Sequence, residues 1–341
     1  MSLVQIQFMK NIKSRYFKNY CKGNNVMPES FFILSKDYLE LATDEVVAIV
    51  KMYDRFAKIK IISNLIIIQS KTNWNKITER ATFVKTSGQI LRKMSGLFLD
   101  DENFQVLKNT KSFVCRVVNL SSNQLNTLEL ESSMGDMISK FTHAKVNLEN
   151  PDITVYLIFT NEENFFGFSE KNENRKRPKK SKKYPHELDW KLTRVMINLV
   201  GLKKGETLCD PFCGTGTTLL ESESMGINAI GIDFDENMCE ISKKNLEINN
   251  YKSKILKSDF QELVKISNDF DGIVTDLPYG RSSKASEKPE EILKRFISII
   301  PKNKKIAVMY KKELDPKMKL KGLKKYQIYR HKSLTRTILI K

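Results

Sequence analysis

The segment Asp276-Leu277-Pro278-Tyr279-Gly280 brings together residue types that can act on a polar substrate. It follows the apolar run 272–275, which predicts a short buried strand. Pro278 cannot continue a central strand, so we expect the chain to turn there. The turn would put the acceptor-only carboxylate of Asp276 beside the ring of Tyr279 at the C-terminal edge of a strand. In open α/β sheets this edge is where ligands bind.

A glycine-rich turn lies upstream, between a predicted strand at 206–209 and a predicted helix. Gly214 and Gly216 allow the backbone to approach a ligand closely. The turn lacks the Gly-Lys-Ser/Thr sequence of a P-loop, which argues against a triphosphate ligand. Asp210, at the end of the strand, would repel phosphate but suits the ammonium group of a bound amino acid. S-adenosylmethionine (SAM) carries such a group.

Carboxylates recur at the ends of the predicted strands. Asp233 follows the glycine turn at about 20 residues, the spacing at which a carboxylate meets ribose hydroxyls. Asp235 could serve there or cap a helix instead. Asp259 ends a third strand, where a carboxylate can accept the amino group of adenine. With Asp210 and Asp276, four successive strand ends carry an acid, and we interpret this ordered set as a ligand site.

The order of these motifs resembles that of class I, Rossmann-like SAM-dependent methyltransferases. The segment at 276–280 resembles the Asp/Asn-Pro-Pro-Tyr motif of members that methylate exocyclic amino groups of bases. This resemblance implies that Asp276 accepts the amine N–H bonds, that Pro278 forms the turn and that Tyr279 stacks on an extruded base. It also implies a set of SAM-binding residues, namely Asp210, Phe212, Gly214, Gly216, Asp233 and Asp259. Leu277 departs from the motif, which usually has Pro there, and we expect this difference to adjust the activity rather than abolish it.

The composition favours a polyanionic partner. Of 341 residues, 58 are Lys or Arg and 40 are Asp or Glu, which gives a formal net charge of +18. Such a charge is typical of proteins that bind nucleic acid, although a lysine-rich genome would also raise it. The five cysteines are scattered without a CxxC pair, so neither a disulfide framework nor a metal site is predicted. The longest apolar run, 61–68, is too short to span a bilayer, and we expect a cytoplasmic protein with no membrane partner.

The N-terminal part is predicted to contain no catalytic residues. Residues 1–28 lack acids and form a basic extension, which could be a disordered arm, a mitochondrial transit segment or the product of a misplaced start before Met27. Residues 29–100 predict a ferredoxin-like α+β domain, with strands and helices interleaved. Its elements are a strand at 31–34, a helix at 38–52, a hairpin at 57–69 and a helix at 75–96.

Residues 101–170 resemble a THUMP domain, an RNA-binding module of tRNA-modifying enzymes. The residues that carry the resemblance are Phe113-Val114-Cys115-Arg116-Val117, Leu130-Glu131, Gly135, Lys145-Val146-Asn147-Leu148 and Pro151-Asp152. The resemblance implies that this domain binds the acceptor end of tRNA by recognising the shape and the backbone of the RNA rather than its sequence. A generic α+β domain with a basic face is the alternative.

A basic linker, residues 171–185, precedes the predicted SAM methyltransferase domain at 186–341. It contains seven Lys or Arg residues between 175 and 183 and no large apolar side chain in that stretch. We interpret it as a strap that follows RNA phosphates, with Lys179 and Lys180 as contacts. A solvated linker or a nuclear-localisation-like stretch would have a similar composition.

Three segments together extend the resemblance to one family. They are DPFCGTGTT at 210–218, TDLPYGRSS at 275–283 and YRHKSLTR at 329–336, and they follow the THUMP-like region. This combination resembles the archaeal tRNA guanine-10 N2-methyltransferases. The resemblance implies N2-methyl- or N2,N2-dimethylguanosine at tRNA position 10 as the product. It suggests RNA contacts from Arg281, Lys332 and Arg336, which could otherwise be exposed basic residues.

Other functions remain open from the sequence. Guanine presents N1–H and N2–H as adjacent donors that a carboxylate can accept, which favours guanine over adenine. The same chemistry at another tRNA or rRNA guanosine, a DNA amino-methyltransferase and a non-catalytic RNA-binding protein are the alternatives. We expect a monomer, and a small activating partner protein is left open, as is the choice between one and two methyl groups.

Overall fold

The chain divides into two units, which we describe separately. The first comprises the described residues within Met1–Leu34, Phe56–Thr78 and Val84–Asn174. The second comprises those within Ser35–Arg55, Glu79–Phe83 and Arg175–Lys341. The structure is a computed structural model, and it describes residues 27–94, 107, 110–170, 177–181, 188–278, 288–317, 323–331 and 334–341. Nearly all of the predicted extension at 1–28 lies outside these residues.

One mixed sheet organises the first unit. Its strands are β1 (Glu29–Leu34), β2 (Lys58–Ile62), β3 (Leu65–Gln69), β4 (Val84–Met94), β5 (Ser112–Asn119), β6 (Lys145–Val146), β7 (Ile153–Phe159) and β8 (Asn164–Glu170). They lie in the order β2-β3-β1-β4-β8-β7-β5-β6. Strand β5 runs parallel to β6 and β7, and the other pairs are antiparallel. The longer helix of this unit, Thr127–Thr142, packs against β5.

The structure differs from the prediction for residues 75–96, which is wrong as a helix. Only Trp74–Thr78 is helical, and β4 occupies most of the rest. Strand β4 pairs with β1 on one side and β8 on the other, so the β-branched Val84 and Thr86 are used in a sheet. The β4–β8 pairing also joins strands from the predicted domains 29–100 and 101–170 into one continuous sheet.

The second unit has seven strands and five helices among its described residues. The strands are β9 (Thr207–Asp210), β10 (Asn228–Asp233), β11 (Lys254–Lys257), β12 (Gly272–Asp276), β13 (Lys305–Lys311), β14 (Lys324–His331) and β15 (Leu334–Ile340). The helices are α1 (Leu39–Tyr53), α2 (Trp190–Val200), α3 (Thr217–Ser224), α4 (Glu236–Ile248) and α5 (Pro289–Ile299). Two 3-10 turns, Phe260–Val264 and Lys312–Lys317, complete it.

The sheet of this unit has the order β11-β10-β9-β12-β13-β15-β14. Strands β9 to β13 are parallel, and β15 and β14 add an antiparallel hairpin at one edge. The chain builds outward from β9 in one direction and from β12 in the other, so the strand order reverses between them. The predicted Rossmann-like α/β fold with a closing hairpin is confirmed.

Helix α1 and residues 79–83 belong to the second unit, although the sequence assigned them to the N-terminal domain. Leu41 of α1 lies in the same apolar cluster as Val195 and Met196 of α2. The fully buried carboxylate of Glu45 accepts hydrogen bonds from Asn198 Nδ2 at 2.7 Å and from the backbone and hydroxyl of Thr82. Burial raises the pKa of Glu45, and these hydrogen bonds oppose the rise.

None of the helices in the described residues combines the length and the apolar character that a membrane crossing requires.

Candidate active site

The reversal of strand order between β9 and β12 defines the candidate site. Crevices form at such switch points, outside the carboxyl ends of the strands. Strand β9 ends at Asp210 and β12 ends at Asp276. The two carboxylates predicted from the sequence to bind a ligand ammonium and a substrate amine therefore flank one crevice. Their charges interact, since Asp276 contributes to raising the pKa of Asp210.

The glycine turn connects β9 to α3 in the conformation that its glycines permit. Gly214 and Gly216 have φ angles of +51° and +82°, in the left-handed region that disfavours side chains. A Cβ atom built on Gly216 would lie 2.4 Å from Ser242 Oγ, whereas one on Gly214 would meet nothing within 4 Å. The backbone N–H of Gly214 donates to Asp233 Oδ2 at 2.8 Å. Gly216 is therefore required by packing, while Gly214 faces open space that a ligand can fill.

Asp210 is buried and held by neutral donors. Its Oδ1 accepts a 2.6 Å hydrogen bond from Thr275 Oγ1 and a 3.1 Å bond from the backbone N–H of Phe212. Thr218 also donates to it. Burial raises its pKa to about 6. The groups that act on this carboxylate are hydroxyls, an N–H and the negative Asp276, so an ammonium group would supply the charge complement that stabilises its ionised form.

Asp233 and Asp259 lie at the ends of β10 and β11. Asp233 bonds the backbone N–H groups of Gly214 and Asp235, and burial raises its pKa. Asp259 caps the 3-10 turn Phe260–Val264 by accepting from Gln261 N at 2.9 Å, and its side chain is 54% exposed. Asp235 caps α4, the alternative that the sequence left open for it.

An aromatic cluster borders the same strand ends. The ring of Phe212 lies 5.1 Å from that of Phe260 and 5.6 Å from that of Phe296, measured between centroids. The Arg295 guanidinium lies over the Phe260 ring, 4.9 Å from its centroid, and 4.0 Å from Asp259 Oδ2. The predicted residue Phe212 therefore forms part of an apolar wall next to the carboxylates.

Asp276 is held by a residue for which the sequence suggested another role. Arg336 Nη2 donates to Asp276 Oδ1, and the Arg336 side chain is only 4% exposed. An RNA contact was predicted for Arg336, but its side chain is buried and its guanidinium bonds the predicted catalytic carboxylate. The adjacent Leu277 is buried, and its N–H donates to the Met309 carbonyl at 2.9 Å. A proline, usual in this motif, could not make that bond.

The basic segment 177–181 belongs to the second unit, and backbone and side-chain hydrogen bonds hold it against other elements of that unit. The amide of Asn249 bonds both the N–H and the carbonyl of Lys179, at 2.8 and 2.7 Å. Lys180 Nζ donates to Thr217 Oγ1 at 2.6 Å, at the first residue of α3. The expected RNA contacts of Lys179 and Lys180 stay predictions.

The buried amide of Asn245 joins this segment to the glycine turn, a link that the sequence did not reveal. Its Oδ1 accepts from Ser181 N and Oγ, both at 2.8 Å. Its Nδ2 donates to the carbonyl of Thr215 at 2.9 Å. One side chain thus contacts both the basic segment and the turn predicted to bind the cofactor.

Three predicted site residues, Tyr279, Arg281 and Lys332, lie outside the described residues. Cys209 and Cys213 are buried, and burial raises the pKa of both thiols, which suits packing rather than nucleophilic catalysis. Within the described part of the chain, no group of three or more His, Cys, Asp or Glu residues could hold a metal ion.

Comparisons with known proteins agree with this geometry. A family model described as "RMKL-like, methyltransferase domain" matches residues 177–333, and one described as "DNA methylase" matches residues 28–244. The crystal structure of TrmN from Thermus thermophilus superposes with a TM-score of 0.56 at 16% identity, covering 92% of this chain and 99% of that one. This likeness shows a shared fold.

Two archaeal relatives carry the same name, tRNA (guanine(10)-N2)-dimethyltransferase. The protein from Methanocaldococcus jannaschii is 34% identical over 261 residues, which are 71% of this chain and 73% of the relative. The protein from Methanothermobacter thermautotrophicus is 29% identical over 335 residues, or 92% of this chain and 98% of the relative. The chain therefore belongs to the tRNA (guanine(10)-N2)-dimethyltransferase family of methyltransferases.

Proposed function

We propose that this protein transfers methyl groups from SAM to N2 of a guanosine in tRNA, at position 10. The observation that carries the proposal is the carboxylate of Asp276 at the switch point, next to a strand end and glycine turn suited to SAM. Thr275 connects the two parts, because it precedes Asp276 in β12 and bonds Asp210 at the end of β9. Family membership supports the choice of guanine N2 and of position 10.

The substrate amine needs help from the protein. The lone pair on guanine N2 is delocalised into the ring, so the nitrogen is a weak nucleophile. A carboxylate that accepts an N–H bond draws electron density onto this nitrogen and stabilises the positive charge that develops during transfer. We assign this role to Asp276, which can also take the proton that N2 loses. Pro278 ends the strand, and we assign the base-stacking role to Tyr279.

The residues around the glycine turn fit SAM. The open space at Gly214 can admit a ligand, and the buried Asp210 suits its ammonium group. Asp233 and Asp259 offer carboxylate acceptors for ribose hydroxyls and an adenine amine, beside the ring of Phe212. When bound, SAM supplies a methyl group on a positively charged sulfur. The protein's part is to hold the two reactants in line and exclude water.

Recognition of tRNA is assigned to the first unit and to the basic segment. The net charge of +18 supports a polyanionic substrate. We assign phosphate contacts to Lys179 and to the basic residues Arg281 and Lys332. We further propose that the enzyme acts as a monomer, which light scattering of the purified protein would test.

Methyl transfer to defined substrates tests this function. Purified protein is incubated with tritium-labelled SAM and either a tRNA transcript or duplex DNA. We expect label in the tRNA and none in the DNA. A transcript with adenosine in place of guanosine 10, with its pairing partner changed to match, should accept no label. Label that is unaffected by this replacement would refute the assigned position.

A DNA amino-methyltransferase is the second candidate, because the family model described as "DNA methylase" matches residues 28–244. The same experiment separates the two. Transfer of label to an adenine or cytosine amine in duplex DNA, with none in tRNA, would favour this candidate.

A further inference from the structure

Arg336 is a buried cation that contacts the proposed catalytic carboxylate from the antiparallel hairpin. It lies in β15, and β13 separates it from the strand that carries Asp276. Its Nη2 donates to Asp276 Oδ1, and the two side chains are 4% and 19% exposed. Asp276, which contacts the substrate in the proposed function, is thus the more exposed of the two side chains.

The register of the strands brings the two side chains to one face. Asp276 is opposite Met309 in β13, and Met309 is opposite Ile338 in β15. Side chains of directly paired residues share a face, and residues two apart on a strand share it as well. Arg336 precedes Ile338 by two positions, so it lies diagonally across from Asp276. The contact follows from the fold of the sheet.

The neighbours of the pair on this face of the sheet are apolar. Met309 and Ile338, the paired residues on the adjoining strands, are fully buried. A charge-assisted hydrogen bond is stronger where water is excluded. An adjacent guanidinium also favours the ionised form of a carboxylate. Each carboxylate oxygen can accept two hydrogen bonds, so the bond from Arg336 does not by itself prevent Asp276 from accepting a substrate N–H.

We propose that Arg336 is a positioning residue that orients the carboxylate of Asp276 and keeps it ionised for its contact with the guanine amine. This inference rests on the proposed function, since it requires Asp276 to act on the substrate. Arg336 acts through Asp276 and does not contact RNA phosphates. It therefore controls the chemical step and leaves tRNA affinity unchanged.

The test compares Arg336→Lys and Arg336→Met with Arg55→Ala, which removes a charge from an exposed site of the same unit. For Arg336→Met we expect kcat to fall about 10²-fold, the effect of losing one preorganised electrostatic partner. Arg336→Lys keeps the charge without the planar fork and should lie between this variant and wild type. The KM for tRNA should change less than about twofold in both, and Arg55→Ala should leave kcat unchanged.

The pH profile gives a readout that a purely structural role would not move. At saturating SAM, which removes the pH dependence of binding at the adjacent Asp210, we expect protonation of Asp276 to give kcat an acid limb as pH falls. Without the guanidinium the ionised form is less favoured, and in Arg336→Met this limb moves to higher pH. Arg336→Lys should retain most of the wild-type pH profile of kcat. If Arg336→Met does not fold, the kcat of Arg336→Lys alone tests the inference.

An unchanged kcat with a raised KM for tRNA, in either variant, would overturn the inference and return Arg336 to the RNA-binding residues. An unchanged pH profile in Arg336→Met, or in Arg336→Lys an unchanged kcat, would also overturn it. Failure of the proposed function looks different, because the wild-type protein would then make no N2-methylguanosine in tRNA.

Discussion

The hydroxyl of Thr275 donates a 2.6 Å hydrogen bond to Oδ1 of Asp210, and both residues are buried. This bond ties the residue before the proposed catalytic carboxylate to the strand end that precedes the glycine turn. It joins the two central strands, β12 and β9, at the point where the strand order reverses. This hydrogen bond therefore links the proposed substrate half of the site to the proposed cofactor half.

Removal of this hydroxyl should weaken both halves. Thr275→Val keeps the side-chain volume and leaves Asp210 without one donor, so we expect a loss of about 2 kcal/mol in the free energy of unfolding. The dissociation constant for SAM should rise as well. Urea denaturation and calorimetry measure the two effects. Thr275→Ser retains the hydroxyl and is the matched control, so equal behaviour of the two variants would contradict the role of this bond.

The raised pKa of Asp210, about 6, predicts that SAM binding depends on pH. An ammonium group binds the ionised carboxylate, which is the main form only above this pKa. We expect a nearly constant dissociation constant above about pH 7 and a weakening that approaches tenfold per pH unit as pH falls to about 5. Calorimetry from pH 5 to pH 8, in two buffers of different ionisation enthalpy, would show proton release on binding in the acid range.

The same group has a defined effect on folding. Its pKa in the folded protein exceeds the ordinary value of 3.8, so the folded state binds more protons between about pH 4 and 6. Its contribution to stability is therefore lost as pH rises through this range. Asp210→Asn should remove both dependences. SAM affinity that is flat from pH 5 to 8 in the wild type would contradict an ammonium contact at Asp210.

The two glycines of the turn should respond differently to alanine. Gly214→Ala meets only backbone strain, about 1–2 kcal/mol, because the space around it is open. The variant should fold and bind SAM weakly. Gly216→Ala adds a collision with Ser242 and should lose more stability. Thermal unfolding measures the difference, and Ser242→Ala should relieve part of the loss in Gly216→Ala. Equal destabilisation by the two alanines would be inconsistent with the described turn.

A buried polar network around Asn198 links helix α1 to helix α2 of the second unit. Asn198 donates to Glu45 and accepts a 2.8 Å bond from Arg80 Nε, and all three residues are buried. Asn198→Leu leaves a carboxylate and a guanidinium with fewer partners, and we expect a loss of roughly 3 kcal/mol. Urea denaturation measures it, with the exposed Asn237→Leu as control. A loss no larger than that of the control would argue against this network.

Local patterns were sufficient to predict which sheet edge carries the residues proposed to bind the cofactor. Gly214, Gly216, Asp210 and Asp233 follow strands whose apolar runs are short and bounded, so their place at one sheet edge follows from the fold class. The four carboxylates were predicted as ligand contacts, and each also bonds a protein group: Asp210 with Thr275, Asp233 with Gly214, Asp259 with Gln261 and Asp276 with Arg336. The bond to Gln261 is a local cap, whereas the other three partners lie on other elements, and sequence spacing does not encode their distances.

Long-range pairing explains what the sequence did not reveal. Strand β4 was predicted as a helix because its two neighbouring strands, which override local propensity, are distant in the chain. Helix α1 was correctly predicted as a helix, but its packing against α2 spans more than a hundred residues. Arg336 did leave a signal. It shares a strand face with Ile338 and Ile340, and a charged residue between apolar neighbours on a buried strand requires a partner of opposite charge.

The central claim is that Asp276 directs methyl transfer to guanine N2 at tRNA position 10. Mass spectrometry of tRNA nucleosides, mapped by position after incubation with SAM, tests it most directly. The wild-type protein should produce N2-methyl- or N2,N2-dimethylguanosine at position 10. Asp276→Ala, which removes the acceptor, should lower the yield at least about 10²-fold while tRNA affinity stays nearly unchanged. A methyl group on another base, or an active Asp276→Ala variant, would contradict the account.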